Sequence, residues 1–360
     1  MSRYFTNTLA TLTPYTPGEQ LKMDHLIKLN ANENPYPPAP GVSAAVAACV
    51  DGLRLYSDLT EAKLVGAIAA CYGVGPENVL CGNGSDENLL LAIRAFCDET
   101  HPLAFADITY SFYPVLCDLL HVPAHILPVG DDFTIDTTAY YGLDQNGETI
   151  VIANPNAPTS LLLPVAAIEE VVRRNPGSVV LVDEAYIDFA DDPDASCLPL
   201  IKKYDNLLVV RTFSKSRNLA GARLGFCIGS AALIADMNRI KFSYSPYNIN
   251  SLSEAAGAAA MADEAYFQKT NAVIRATRAW TAQQLRGLGF TVLDSATNFL
   301  FASTEKISCA ELFQTLRARG ILIRYFNAPR IDRWLRITIG TQEQMQALVD
   351  ATREILNDRT

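Results

Sequence analysis

The sequence predicts an α/β protein with a large domain built on a mostly parallel sheet flanked by helices, followed by a smaller α/β domain. Short apolar runs alternate with helical stretches through the middle of the chain, which is the pattern of strand and helix units in a parallel sheet. The 360 residues exceed one ordinary domain and suit a large domain with a smaller companion. Polar and charged side chains also cluster directly after the apolar runs.

The strands of the large domain are predicted from six apolar runs, at residues 78–81, 102–105, 149–153, 178–182, 206–211 and 224–228. The loops that follow parallel strands converge over a crevice, so a ligand is expected there. A turn-rich segment at 242–248 then resembles a hinge. The helical stretch 251–285 and a compact strand and helix pattern follow it, at residues 290–293, 298–302, 309–317, 321–323 and 335–338.

Three domain assignments follow from this pattern. Residues 1–45 are predicted to be an N-terminal segment that packs on the small domain or in the cleft. Residues 46–250 form the predicted large domain, and residues 251–360 form the predicted small domain.

Composition narrows the possible partners and location. The net charge of −10 and the pI near 5.0 argue against nucleic acid and anionic membranes, because no basic stripe offsets the charge. No run approaches the roughly 20 apolar residues of a membrane helix, and the first residues lack a signal peptide pattern. A cytoplasmic location is therefore predicted. The eight cysteines contain no C-x-x-C pair, so reduced thiols are predicted. His121 and His125 are four residues apart, but Pro123 interrupts the single helix face that metal ligands would need, so no metal site is predicted.

Lys215 lies in the segment TFSK at 212–215, and Arg223 follows it in LAGARLG at 219–225. A lysine amine forms a Schiff base with a carbonyl, and hydroxyl groups beside an arginine bind phosphate. Thr212, Ser214 and Arg223 are therefore candidate phosphate ligands. Pyridoxal phosphate carries both an aldehyde and a phosphate, and it is the predicted cofactor. The alternative is a surface lysine at a strand end with an arginine on a solvated helix.

Asp183 and Tyr186 follow the apolar run VVLV at 179–182. A carboxylate at a strand end can keep a pyridine nitrogen protonated, while a tyrosine donates to the ring oxygen. The protonated ring then accepts electrons from the substrate α-carbon. An acidic cap that opens a turn is the alternative for Asp183.

The loop CGNGSDE at 81–87 precedes a helical run. Glycines let the backbone approach an anion, and a helix start offers free N–H groups, so Ser85 and Asp86 are candidate phosphate ligands; a capped helix is the alternative. The loop is neither G-x-G-x-x-G nor a P-loop, which argues against a dinucleotide. Tyr110, in TYSFY at 109–113, can stack on a ring or pack in the core.

Arg324 and Arg336 lie in apolar strand patterns, ILIR at 321–324 and LRITIG at 335–340. An arginine among strand hydrophobes needs an anionic partner. Two such arginines favour a substrate carboxylate or phosphate over a structural carboxylate.

In order and spacing, these motifs resemble those of the fold-type I pyridoxal-phosphate-dependent aminotransferases over most of the chain. Within that group the nearest resemblance is to the histidinol-phosphate aminotransferase family, and it rests on LTPYTPG at 12–18, LNANENP at 29–35, the loop at 82–87, TYSFY and LRITIG. The resemblance implies a homodimer that moves an amino group by a ping-pong reaction in histidine biosynthesis. Its substrates would be histidinol phosphate, imidazole-acetol phosphate, glutamate and 2-oxoglutarate.

The resemblance also assigns a role to each candidate residue. Lys215 would form the Schiff base and move the substrate proton, Asp183 would bind the pyridine nitrogen and Tyr186 the ring oxygen, and Tyr110 would stack on the ring. The implied ligands of the cofactor phosphate are Ser85, Asp86, Thr212, Ser214, Arg223 and, in the neighbouring subunit, Tyr56. The implied substrate ligands are Tyr15, Asn32, Arg324 and Arg336, and Arg336 would bind the carboxylate.

The turn NPNAPTS at 154–160 departs from the family pattern. Ala157 stands where the family has the asparagine that binds the ring oxygen, and Ser160 replaces a glycine. Asn156 is the candidate to bind the ring oxygen from the adjacent position. Ser57 and Ile108 replace prolines and remove no reacting group.

Three other activities stay open on the same fold. An aromatic amino-acid aminotransferase would keep every cofactor residue and differ in the pocket. A threonine-phosphate decarboxylase would expel carbon dioxide instead of moving a proton. A noncatalytic regulatory module would carry a fused DNA-binding domain, and this chain is expected to have neither the spare length for that domain nor a basic patch.

Overall fold

The predicted α/β architecture is confirmed in a computed structural model, which describes residues 2–23 and 25–358. Its helices are α1 (Gly41–Ala47), α2 (Ala62–Tyr72), α3 (Ser85–Phe96), α4 (Phe112–Leu120), α5 (Val165–Arg174), α6 (Ala231–Tyr244), α7 (Ser251–Ala262), α8 (Glu264–Gly287), α9 (Cys309–Ala318) and α10 (Gln342–Asn357). Its strands are β1 (Ile27–Lys28), β2 (Val79–Gly82), β3 (Leu103–Ala106), β4 (Ala124–Leu127), β5 (Thr149–Ala153), β6 (Val180–Asp183), β7 (Leu207–Thr212), β8 (Gly225–Gly229), β9 (Thr291–Val292), β10 (Phe299–Ser303), β11 (Ile321–Leu322), β12 (Arg324–Tyr325) and β13 (Leu335–Thr338).

Seven strands form the large sheet in the order β2-β8-β7-β6-β5-β3-β4. β8 runs antiparallel to both of its neighbours, and the other pairs are parallel, so the sheet is mostly parallel, as predicted. The six predicted strands are all present at nearly the predicted bounds. β4 was not predicted: it lies at the sheet edge, where its residues alternate between exposed and half-buried, so its sequence lacks the continuous apolar run of a central strand.

Both faces of the large sheet are covered, which explains why its central strands are buried at every position and mostly apolar. Side chains at alternate positions point to opposite faces. Ile150, Val180 and Val209 pack in the cluster under α2, α5 and α7, and Val151 and Leu181 pack in the cluster under α3, α4 and α6. Because the parallel strands run in the same direction, their carboxyl ends lie at one common edge of the sheet.

A four-stranded antiparallel sheet, β12-β13-β10-β9, forms the second layer of strands. α8, α9 and α10 cover it and share its hydrophobic core. Side-chain caps begin these helices, from Asp263, Ser308 and Thr341 respectively, because each accepts a hydrogen bond from an otherwise unpaired N–H group. β1, in the N-terminal segment, pairs in parallel with β11.

The division into three domains stays a prediction, and the packing bears on one of its boundaries. Ala256, Ala260 and Met261 of α7 lie in the same buried cluster as Leu64 of α2. The larger core therefore continues through α7, and this packing favours a boundary near Asp263 over the predicted boundary at residue 250. Within the described residues, no helix is long and apolar enough to span a bilayer.

Candidate active site

A cleft of about 720 Å³ lies between the carboxyl edge of the large sheet, the small sheet and the N-terminal segment. This is the edge at which open α/β sheets bind ligands. The structure brings thirteen predicted site residues together in its walls: Tyr15, Asn32, Ser85, Asp86, Tyr110, Asp183, Tyr186, Thr212, Ser214, Lys215, Arg223, Arg324 and Arg336.

Lys215 follows β7 and carries its amine into the cleft. Nζ donates a long hydrogen bond to the carbonyl oxygen of Ala31, at 3.3 Å, and lies 5.8 Å from the ring centre of Tyr186. Burial lowers the pKa of Lys215 to about 8, and the positive charge of Arg336 acts in the same direction. A lysine with this pKa has a far larger fraction of neutral, nucleophilic amine at neutral pH than an exposed lysine.

Asp183 ends β6 and is nearly fully buried. Its Oδ2 accepts a hydrogen bond from the Tyr113 hydroxyl at 2.9 Å, and its Oδ1 accepts one from the Ala185 N–H at 3.1 Å. Burial raises the pKa of Asp183 to about 6, although both hydrogen bonds oppose this rise. The carboxylate is therefore kept ionised near neutral pH by two donors, and Tyr113 is a contributor that the sequence analysis did not single out.

Tyr186 is oriented by the N-terminal segment. Asn32 Nδ2 donates to the Tyr186 hydroxyl at 2.9 Å, and Asn32 is held in turn by Thr338 of β13, whose hydroxyl donates to Oδ1 at 3.0 Å. The Tyr186 hydroxyl thus accepts one bond and keeps its proton available for an acceptor in the cleft.

The first turn of α3 forms an anion site together with Arg223. Gly84 precedes the helix with φ of 82°, which favours glycine. Ser85 and Asp86 line the cleft in the first turn of α3, where backbone N–H groups have no acceptor within the helix. Arg223 donates to Asp86 Oδ2 at 3.1 Å and to the Ser214 hydroxyl at 3.4 Å. The Arg223 guanidinium, the Ser214 hydroxyl and the backbone at the start of α3 therefore lie together at one position where an anion can bind.

Arg336 and Arg324 face the cleft from the small sheet, where they pair across β12 and β13. Arg336 donates from Nη2 to the Asn30 carbonyl at 3.1 Å, and its buried Nε has no partner among the described residues. Arg324 donates to the carbonyls of Thr16 and Pro17. A buried guanidinium with an unpaired donor needs an anion, so the cleft is suited to a carboxylate or a phosphate.

A buried ionic network lies under the site, and the sequence analysis missed it. Arg211 in β7 donates to Glu184 at 2.8 Å and to Asp188 at 3.0 Å, and Asp188 accepts a hydrogen bond from Ser216 at 2.5 Å. Glu184 follows Asp183 and Ser216 follows Lys215, so the network joins the ends of the two strands that carry the reacting groups.

Two predicted residues do not lie in the cleft wall. Asn156 is buried, and its amide donates to the Ile108 carbonyl and to the Thr159 hydroxyl. Both amide hydrogens are thus used by protein acceptors, one of them outside the turn. The role of Asn156 at the ring oxygen stays a prediction, and the neighbouring Ala157 lines the cleft. Tyr56 is 82% exposed and stacks on Tyr247, with ring centres 4.4 Å apart, outside the cleft of its own chain.

The chain is similar in sequence to known proteins. The model of the family described as aminotransferase class I and II matches residues 24–351. Histidinol-phosphate aminotransferase 1 of Bordetella parapertussis is 48% identical over 99% of this chain and 100% of its own length. Histidinol-phosphate aminotransferase 2 of Dechloromonas aromatica is 47% identical over 99% of each chain.

A solved structure supports the fold. The histidinol-phosphate aminotransferase of Sinorhizobium meliloti, determined in complex with pyridoxal-5'-phosphate, superposes with a TM-score of 0.87 over 100% of this chain and 99% of its own, at 23% identity. Because the family model covers most of the sequence, and the curated relatives match it from end to end, the chain belongs to the class I and II aminotransferases.

Proposed function

We propose that this aminotransferase acts on histidinol phosphate as amino donor and on 2-oxoglutarate as acceptor, with pyridoxal phosphate as its cofactor. The observation that carries the substrate assignment is the pair of arginines, Arg324 and Arg336, which face the cleft opposite Lys215. Two guanidinium groups suit a phosphate dianion, and Arg336 alone suits a carboxylate. The curated relatives of nearly half identity carry the same activity in their names.

The cleft residues fit pyridoxal phosphate. An amine with a lowered pKa, a buried carboxylate and an anion site at the start of α3 are the three groups that its aldehyde, its ring nitrogen and its phosphate require. When bound, this cofactor supplies an aldehyde that attaches to amino groups and a protonated ring that withdraws electrons. In the proposed arrangement, Ser85, Asp86, Thr212, Ser214 and Arg223 hold the phosphate.

Side chains of the protein would carry out the remaining steps. Lys215 would hold the cofactor aldehyde in the resting enzyme, and its Nζ, once free, would take the proton from the carbon that bears the donor amino group. Asp183 would hold a proton at the ring nitrogen, the Tyr186 hydroxyl would donate to the ring oxygen, and Tyr110 would pack against the ring.

The anion site serves both substrates in turn, because histidinol phosphate has a phosphate and no carboxylate, whereas 2-oxoglutarate and the glutamate formed from it have carboxylates and no phosphate. Arg336 binds an anionic group in each half-reaction, and Arg324 and Tyr15 join it for the phosphate. Arg324 already holds the backbone of the N-terminal segment through Thr16 and Pro17, which keeps Tyr15 at the cleft.

The donor assignment is tested by adding histidinol phosphate, phenylalanine and threonine phosphate separately to the cofactor-loaded enzyme. Absorbance follows the conversion of the cofactor to its amino form, and the products are identified. We expect histidinol phosphate to act at the lowest concentration. A preference for phenylalanine would identify an aromatic aminotransferase, and carbon dioxide from threonine phosphate would identify a decarboxylase; either result contradicts the proposal.

Tyr113→Phe is expected to move the acid limb of the pH profile of kcat/KM to higher pH. The hydroxyl stabilises the ionised form of Asp183, so its removal raises the pKa of that carboxyl. The carboxylate is then lost earlier as pH falls, and we expect kcat/KM on the acid limb to drop by roughly tenfold.

Tyr140→Phe provides the matched control for Tyr113→Phe. Tyr140 is also fully buried, but its hydroxyl has no partner among the described residues, so its loss should leave the pH profile unchanged. An unshifted acid limb in Tyr113→Phe would show that this hydroxyl does not support Asp183.

We also propose a cytoplasmic homodimer. Exposed apolar side chains gather in two segments, 50–59 and 242–247: Val50, Leu53, Leu55, Tyr56, Leu59, Phe242, Tyr244 and Tyr247. A patch of this kind marks an interaction surface, and it would bring Tyr56 to the cofactor phosphate of the neighbouring subunit. Light scattering that returned the 39.2 kDa of one chain would contradict the dimer.

The proposed cytoplasmic location agrees with the state of the cysteines. All eight cysteines lie within the described residues and are free thiols, which suits a reducing compartment.

A further inference from the structure

The loop at residues 326–334, here called the docking loop, connects β12 to β13. It therefore joins Arg324 to Arg336, which are paired across these two strands. Part of the loop lines the cleft: Phe326, Ala328, Pro329, Arg330 and Ile331. The position of the docking loop bears directly on both arginines of the anion site.

Arg330 attaches the tip of the docking loop to the large sheet. Its Nη1 donates to Asp107 Oδ2 at 3.0 Å, and its Nη2 donates to the carbonyls of Val129 at 2.9 Å and Gly130 at 2.7 Å. Asp107 follows β3, and its Oδ1 accepts a hydrogen bond from the Val129 N–H at 2.9 Å. One side chain of the small sheet thus bridges two loops at the carboxyl edge of the large sheet.

The backbone of Arg330 has φ of 69°, a conformation that residues other than glycine adopt rarely. The three hydrogen bonds at the end of the Arg330 side chain offset the free-energy cost of this backbone conformation. Next to it, Ile331 is buried in the same cluster as Val129 and Phe133 of the large domain. The docking loop is therefore held against the large domain by the hydrogen bonds of Arg330 and, next to them, by the apolar contacts of Ile331.

Trp334 reports on the same docking. Its ring stacks on Phe301 of β10, with centres 5.0 Å apart, and meets the edge of Phe133, with centres 5.2 Å apart. Phe133 lies three residues beyond Gly130, so the Trp334 ring contacts the segment to which Arg330 is bonded. Movement of the loop away from the large sheet would expose the indole to water.

We propose that Arg330 is a positioning residue: by docking this loop on Asp107, Val129 and Gly130, it sets the distance between the Arg324–Arg336 pair and Lys215. A phosphate-bearing donor must place its phosphate at the Arg324–Arg336 pair and its amine at Lys215 at the same time. Recognition of the phosphate therefore depends on the position of the docking loop, although Arg330 itself does not bind the donor. This inference rests on the proposed function.

The test compares kcat/KM for histidinol phosphate with kcat/KM for histidinol, which has the same amine and no phosphate. Arg330→Gln and Asp107→Asn are expected to reduce the preference for the phosphorylated donor by roughly fivefold, the upper range for a half-exposed ion pair. Activity toward histidinol should change little. The matched control is Arg333→Gln, because Arg333 lies in the same loop, is 72% exposed and pairs with Glu305 of its own domain at 3.2 Å.

Emission from Trp334 gives a second readout, independent of turnover, in a Trp280→Phe background that removes the other tryptophan. Arg330→Gln should shift this emission to longer wavelength, and Arg333→Gln should not. The inference is overturned if Arg330→Gln keeps both the donor preference and the emission, or if it weakens both donors equally. A wild-type enzyme without preference for the phosphorylated donor would contradict the proposed function instead, and the emission of Trp334 would still decide whether Arg330 docks the loop.

Discussion

Lys215→Ala is expected to lower transamination by roughly 10³-fold or more, because it removes the group that attaches the cofactor and moves the substrate proton. The structure predicts little loss of folding, since the amine makes one long hydrogen bond, to the Ala31 carbonyl. Turnover and thermal unfolding of the apoprotein are the two measurements. Normal turnover in a variant without this amine would contradict the central assignment.

Lys215→Arg separates proton transfer from positive charge. Arginine keeps the charge beside Asp86 and Tyr186, but its pKa is too high for it to accept a proton at neutral pH, so this variant should be as inactive as the alanine variant. In the wild-type apoprotein, attachment of pyridoxal phosphate requires the neutral amine. Its rate should therefore rise with pH and level off above a pKa of about 8, instead of above the usual value near 10.5.

The fold was predictable where one physical signal dominates. Strands such as β5 and β7 are covered on both faces, are buried at every position and are mostly apolar, so they could be located from composition alone. β4 has an alternating and half-exposed pattern, which is weak in a run of four residues. α7 showed its helical character in the sequence, but only the packed structure shows that its buried face belongs to the larger core.

The sequence predicted which types of residue form the site, but not which of these residues are hydrogen-bonded to one another. Lys215 and Asp183 stand in short motifs whose chemistry is specific, and the structure places both in the cleft. Asn156 stands in a motif as well, yet three hydrogen bonds to its neighbours use its amide, and no local pattern reveals that. Tyr113 lies in the apolar run of α4 and is indistinguishable by sequence from a core tyrosine.

Long-range contacts explain what else the sequence could not reveal. Arg330 and Asp107 are 223 positions apart, and each stands in a loop whose composition indicates only a turn. Their contact depends on how the two sheets are placed relative to each other, and local propensity carries no information on that placement. The same holds for Asn32 and Tyr186, which meet across 154 positions.

Arg336→Gln is expected to weaken both half-reactions, because a single anion site serves the phosphate of one substrate and the carboxylate of the other. Arg336 has a buried Nε without a partner among the described residues, so this donor is free for a substrate anion. Loss of two charge-assisted hydrogen bonds should lower kcat/KM by roughly 10²- to 10³-fold for histidinol phosphate and for glutamate alike. Single-turnover absorbance changes with each substrate measure the two half-reactions separately.

Arg336→Lys and Arg333→Gln complete the comparison. Lysine restores a charge but not the forked pair of donors, so it should recover only part of the lost kcat/KM. Arg333→Gln, three residues away on the exposed side of the same hairpin, should behave as wild type. Every variant should still bind the cofactor phosphate, since Arg336 is on the small sheet and the proposed phosphate ligands belong to the large domain. If Arg336→Gln reacted normally with glutamate while failing with histidinol phosphate, the carboxylate would have to bind elsewhere, and the shared anion site would be wrong.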